Sequence, residues 1–284
     1  MMDMRSAWLK WARAVEHQKT LARETWLFAE KDSYEYIFFN NSGAPTDPLV
    51  KMYWRLKIKE PYPERWSILI GDALTNLRAA LDHALWFAVL AQSGPPTTWA
   101  VKPERVQFPI ASTEQKFKDP DKTLAPMVSP DIWDVVKAVQ PFHGGAHAHT
   151  APLEILRWLS NVDKHRAVHI VGRTHVDLGP VLLASPSPLE VVEEWRLEGP
   201  AEDGAVVARL KLKRPTNSQP IDVAPIFAHE AALQICDAPQ ATYRDLASVM
   251  DVMKEHVFGV LAAFSTQLGI APPDGLDLGT EDDH

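Results

Sequence analysis

The chain of 284 residues is 46% hydrophobic and 23% charged, which supplies apolar material for one large core or two small ones and excludes disorder and collagen-like repetition. Lys and Arg total 29 against 37 Asp and Glu, a net charge of -8, so an extended DNA-binding surface is excluded while a small local anion site is not. Five of the acids (Asp274, Asp277, Glu281, Asp282 and Asp283) follow Pro272 and Pro273, so residues 271–284 read as an acidic flexible tail, leaving about -3 on the rest.

Residues 4–30 place Trp8, Trp11, Val15, Ala22, Trp26 and Leu27 at three- and four-residue steps between charges, which predicts an amphipathic helix packed by its tryptophans. YEYIFFN at 34–40 and KMYWRLKIKE at 51–60 alternate around the turn chemistry of NNSGAPTDP and predict a β-hairpin. A long helix is expected from Glu64 to about Gln92, closed by Ser93-Gly94-Pro95-Pro96. Seven prolines between 95 and 130 then predict a mostly irregular excursion with short elements.

A helix at about 130–139 and another at 152–166 flank the loop QPFHGGAHAHTAP, with Thr150 as a cap for the second and Pro152 in its first turn. Strands are expected at 167–173, in VLLAS, in LEVVEEWRLEG, in AVVARLKLKR and within IDVAPIFAHEAALQICD, with a hairpin turn at 199–204. The stripe Tyr243, Leu246, Val249, Met250, Met253, Val257, Val260, Leu261 and Phe264 marks a closing helix that stops near Gly269. The fold class is therefore α+β: a helical-bundle core with a small, mostly antiparallel sheet, one domain over 1–270 with β insertions at about 34–60 and 167–230.

Cys236 is the only cysteine, and its apolar neighbours predict a buried thiol in a reducing compartment. The first eighteen residues lack the apolar region of a secretory signal, and the longest uncharged apolar run, 84–91, is far short of the roughly twenty residues a membrane requires. The expectation is a cytoplasmic protein with no membrane partner.

Two helices carry unusual polar residues. On 64–92 the face opposite the core stripe bears Asp72, Asn76 and His83 within about 40° of one another, with Arg78 and Asp82 beside it at i,i+4 spacing. On 152–166 the run Asn161-Val162-Asp163-Lys164-His165-Arg166 brings charges to the borders of the stripe Ile155, Trp158, Leu159 and Val162. Such groups are costly beside a core unless partnered, so a network linking Asn76, Arg78, Asp82 and His83 to Asp163, His165 and Arg166 is expected. The conservative reading is structural: a helical ion pair Arg78–Asp82, cations at a helix C-terminus, and a non-catalytic bundle fixed by its own network. A third reading joins His83, the histidines of 143–149 and Asp163 into a metal-dependent enzyme. No phosphate loop, nucleophile elbow or His-Glu-x-x-His pair occurs.

The segment Arg78-Ala79-Ala80-Leu81-Asp82-His83, within GDALTNLRAALDH, resembles the Arg and His pair that marks the HEPN superfamily of helical-bundle proteins, many of them metal-independent endoribonucleases. GDALTNLRAALDH followed by FPI, QPF and NVDKHR also resembles a family of uncharacterised bacterial proteins, many from actinobacteria and their phages. The first resemblance implies RNA cleavage or binding without a cofactor, at a site formed in a homodimer. His83 would be the base or acid, Arg78 the phosphate clamp and His165 a second acid, with Asp72, Asn76, Asp82, Asp163, Lys164 and Arg166 binding or supporting. Locally the charge fits, since residues 157–175 hold Arg157, Lys164, His165, Arg166, His169, Arg173 and His175 against Asp163.

Overall fold

The structure is a computed structural model that describes residues 4–41, 46–94, 101–178, 190–214, 225–236 and 242–273. They form an α+β fold with helices α1 (Arg5–Ala29), α2 (Arg65–Ser93), α3 (Glu114–Leu124), α4 (Pro130–Ala138), α5 (Pro152–His165) and α6 (Leu246–Gln267). The strands are β1 (Tyr34–Asn40), β2 (Leu49–Ile58), β3 (Ile170–Asp177), β4 (Val191–Arg196), β5 (Val206–Lys213), β6 (Ile226–Gln234) and β7 (Tyr243–Asp245). The chain divides into two compact units, a helical one from 1–24, 64–169 and 234–284 and a sheet-rich one from 25–63 and 170–233. The second unit gathers the two β-rich segments of the sequence.

In the helical unit α2 packs on α5 and α6, and α6 also meets α4. Ile70, Leu74, Leu77, Leu81 and Leu85 of α2 are buried, as their helical spacing predicts. Along α1, Trp8 is buried and its indole Nε1 donates to Ser265 Oγ at 3.3 Å, while Trp11 donates to the Lys254 carbonyl at 3.1 Å. Trp26 departs from its expected role: it is 62% exposed, and Phe28 is the buried aromatic residue at that end. Asp245 caps α6 by accepting from the Ser248 amide at 2.8 Å, so the helix starts directly after β7, and Tyr243 lies outside it.

Within the proline-rich stretch the described residues hold short elements, one of them the eleven-residue helix α3. Thr113 accepts from the Lys116 amide to start α3, and Phe117 and Leu124 bury the inner face of that helix, which tolerates Pro120 within it. The loop after α4 forms tight turns over Pro141–Thr150, bent at Gly145 with φ 54°. Thr150 is not the cap of α5; its hydroxyl donates to the His147 carbonyl at 2.9 Å and Ala151 stands at the cap position. Cys236 is half-buried rather than buried.

In the sheet-rich unit four antiparallel strands run in the order β1-β2-β5-β4, and β3 pairs antiparallel with β6. The alternation of β2 buries Val50, Met52, Trp54 and Leu56 against Ala208, Leu210 and Leu212 of β5. Phe227 of β6 stacks on Tyr36 of β1 at 3.9 Å between ring centroids, closing this core. The hairpin turn expected at 199–204 joins β4 and β5, whereas the expected strand VLLAS and the tail beyond 273 lie outside the described residues.

Candidate functional site: an anchored segment and a basic cleft

At 100° per residue, Gly71, Arg78 and Asp82 share one side of α2, about 120° around from Asp72, Asn76 and His83. The structure uses the two sides differently. Arg78 Nη2 donates to Asp82 Oδ1 at 3.0 Å and to the Phe108 carbonyl at 2.5 Å, and the Phe108 amide donates to the same Asp82 oxygen at 2.8 Å. The i,i+4 pair is thus also a two-point grip on the backbone of Phe108. Burial pushes the Asp82 carboxyl up and the Arg78 guanidinium down, and their mutual attraction opposes both shifts.

The other side of the same segment is held by Gln140, which is 2% exposed. Its Oε1 accepts from the Ala111 amide at 2.9 Å, and its Nε2 donates to the carbonyls of Pro109 at 2.9 Å and Val136 at 2.8 Å. Phe142 completes the attachment by donating its amide to the Ala111 carbonyl at 3.2 Å. LRAALDH, FPI and QPF, separate in sequence, therefore meet at one anchored stretch of extended backbone. Its amides and carbonyls would otherwise be buried without partners.

GD and NVDKHR meet at a second point. The Asp163 side chain lies over Gly71, so close that a Cβ there would stand 2.7 Å from the Asp163 Cγ. Burial pushes the Asp163 carboxyl up, and the charge of Asp72 adds to the shift. Asn76 donates to the Asp72 carbonyl at 2.8 Å and accepts from Lys10 of α1 at 3.3 Å, so that face of α2 turns toward α1. Asp72 itself is exposed.

His83 is half-buried and makes no hydrogen bond or ion pair among the described residues. Lys164, His165 and Arg166 are exposed where α5 ends, and the Arg166 amide donates to the Val162 carbonyl at 2.8 Å. The expected joint network is therefore two separate contacts: Arg78 and Asp82 turn to Phe108, and Asp163 turns to Gly71. Among the described residues no three His, Cys, Asp or Glu side chains come together as a metal-binding group, so His83, the 143–149 histidines and Asp163 do not form one.

Beside the anchored segment opens a cleft of about 700 Å³. Arg78, Lys102, Arg105 and Lys116 line it against a single carboxylate, Asp119. Neither His83 nor His165 lines it. Lys102, Arg105 and Lys116 carry no helical or strand periodicity in the sequence, and only the return of 101–124 across α2 brings them to Arg78. With Arg78 paired to Asp82, the cleft presents Lys102, Arg105 and Lys116 against one carboxylate, and such a concavity favours an anionic ligand. Among the described residues no helix is long and apolar enough to cross a membrane. Comparison of the chain with family models, with curated proteins and with solved structures finds no match to any of them.

Proposed function

We propose that the helical unit binds the phosphates of RNA in the cleft between α2 and the 101–124 segment, in the cytoplasm. The observation that carries this reading is the convergence of Lys102, Arg105 and Lys116, beside the Asp82-paired Arg78, on one concavity whose lining holds a single carboxylate, Asp119. A volume of about 700 Å³ suits one or two nucleotides rather than a duplex. Arg78 is an apt phosphate ligand because Asp82 and the Phe108 carbonyl hold its guanidinium in place, leaving little side-chain freedom to lose on binding.

Binding is favoured over cleavage. Metal-independent cleavage needs a proton acceptor within hydrogen-bond reach of the 2'-hydroxyl, and the imidazoles of His83 and His165 stand outside the cleft wall. The test is to incubate the purified chain with single-stranded RNA in EDTA and follow retention and integrity together. Intact, retained RNA, released by Lys102→Glu with Lys116→Glu, is the expected result. Cleavage lost in His83→Ala would assign the nuclease chemistry, with a homodimer to complete the site, and absence of both binding and cleavage would end the RNA reading.

A second reading is structural, and a specific observation favours it: Asp82 Oδ1 serves Arg78 and the Phe108 amide at once, while Gln140 satisfies the Pro109 carbonyl and the Ala111 amide. In that reading the Arg78 and Asp82 pair exists to fold the 106–111 segment onto α2. The two readings divide by which property fails in the cleft variants. Charge reversal at Lys102 and Lys116 leaves stability unchanged if the cleft serves binding.

A further inference from the structure

A row of side chains crosses the outer face of the four-stranded sheet. The register pairs Phe39 of β1 with Tyr53 of β2, Tyr53 with Arg209 of β5, and Arg209 with Trp195 of β4. Directly paired residues point to one face, and neighbouring strands lie about 4.8 Å apart, so the row runs about 14 Å from rim to rim. The inner face is filled by the core of Met52, Trp54, Leu56 and Leu210, whereas on the outer face Phe39 and Trp195 are each 38% exposed.

The row is built from rings and guanidinium groups in contact. Phe39 and Tyr53 stack with centroids 4.8 Å apart and planes 8° from parallel. Arg55, next along β2 on this face, holds its guanidinium over both rings at 6.0 and 5.6 Å, and Arg209 sits 5.0 Å over the Trp195 ring. Arg55 and Arg209 form no ion pair among the described residues, whereas Lys51 is held by Asp47 and Lys211 by Glu193. The uncompensated charge of this face thus lies on the two arginines between the rings.

We propose that this face is a stacking platform for single-stranded RNA, with bases on Phe39, Tyr53 and Trp195 and phosphates drawn to Arg55 and Arg209. Flat, exposed rings offer π-faces that any unpaired base can cover, and interleaved arginines supply both backbone charge and stacking planes. A duplex hides its base faces and has nothing to set on the rings. A protein partner would call for a continuous apolar patch, and here the apolar row is broken by cations on two strands. The platform lies in the sheet-rich unit and does not depend on the cleft; only the choice of RNA over DNA rests on the function proposed for that cleft.

The test uses the full chain with a uridine-rich ten-nucleotide RNA containing 4-thiouridine, the DNA of matching sequence and a double-stranded RNA, read by fluorescence anisotropy and by mapping photo-crosslinked peptides. The expected result is crosslinking within 37–40, 53–55 and 195 as well as within 101–124. Phe39→Ala and Trp195→Ala should each weaken RNA binding by about 10-fold or more, and Trp195→Phe, which keeps a ring, should stay within about 3-fold of the parent. All three variants should keep the parent circular dichroism spectrum and melting curve, since both positions are partly exposed.

Equal affinity in the alanine variants overturns the proposal, as does binding of double-stranded RNA or DNA in preference to the single-stranded RNA. So does a dimer that Trp195→Ala dissociates without any RNA binding, which would make the row a contact between copies. Crosslinks confined to 101–124 overturn the platform and leave the cleft standing. Crosslinks confined to the sheet do the reverse.

Discussion

The carboxylate of Asp163 on α5 covers the backbone of Gly71 on α2, at a point where any side chain on residue 71 would collide with it. The absence of a Cβ is what lets Asp163 settle there, half-buried and with its carboxyl pushed up by desolvation. Gly71→Ala gains up to about 1 kcal/mol of helix propensity but forces the carboxylate out of its seat. In the parent we expect net destabilisation, and in an Asp163→Ala background we expect the same substitution to be neutral or stabilising. Urea denaturation of the four proteins in this cycle measures the coupling; simple additivity would show that the two residues do not meet.

Asp82→Ala should destabilise the chain by about 2–3 kcal/mol, because it strands both a mostly buried guanidinium and the amide of Phe108. Asp82→Asn keeps the shape and one acceptor and should lose less. Gln140→Ala should cost about as much as Asp82→Ala, since it leaves the Ala111 amide and the carbonyls of Pro109 and Val136 unpaired in the interior. Denaturation midpoints check all three, and a loss below about 0.5 kcal/mol for Asp82→Ala would remove the anchoring role.

His229 supplies a pH dependence with a definite sign. Its ring packs against Tyr34 with centroids 3.8 Å apart and planes tilted by 34°, its Nδ1 meets the Thr174 hydroxyl at 3.0 Å, and its Nε2 is buried without a partner among the described residues. Burial pulls its pKa from 6.5 down to about 4. The folded chain keeps this ring neutral where the unfolded chain takes up a proton, so stability is full above about pH 6.5 and falls as the pH drops toward about 4. His17 and His256 are also held below their usual range by burial and act in the same direction. The informative quantity is therefore the difference between the parent and His229→Phe, which keeps an aromatic ring against Tyr34. The melting temperature of the variant should fall less between pH 7 and pH 4.5, and an equal fall would remove His229 from the account.

The long helices and the first hairpin were legible because their signals are local: the leucine stripe of α2 needs only its own spacing, and YEYIFFN needs only its partner ten residues on. The site was legible in part. Arg78 with Asp82 could be paired from i,i+4 spacing, but that both would turn to the backbone of Phe108 depends on a return of the chain that helical periodicity does not encode. Spacing alone groups Asp163 with Arg78 and His83, although its partner is a glycine, which carries no side-chain signal. Lys102, Arg105 and Lys116 lay hidden in a stretch dominated by proline. The ring row from Phe39 to Trp195 depends on β5 sitting between β2 and β4, a pairing of strands more than a hundred residues apart.

The salt dependence of RNA binding tests the central claim most directly. Each phosphate contact contributes about -0.7 to the slope of log K against log salt for a single strand. Replacing Lys102, Arg105 and Lys116 of the cleft by alanine should therefore make that slope shallower by about 2, weaken binding at low salt, and leave the melting temperature where it was. An unchanged slope with unchanged affinity would contradict a phosphate site in the cleft.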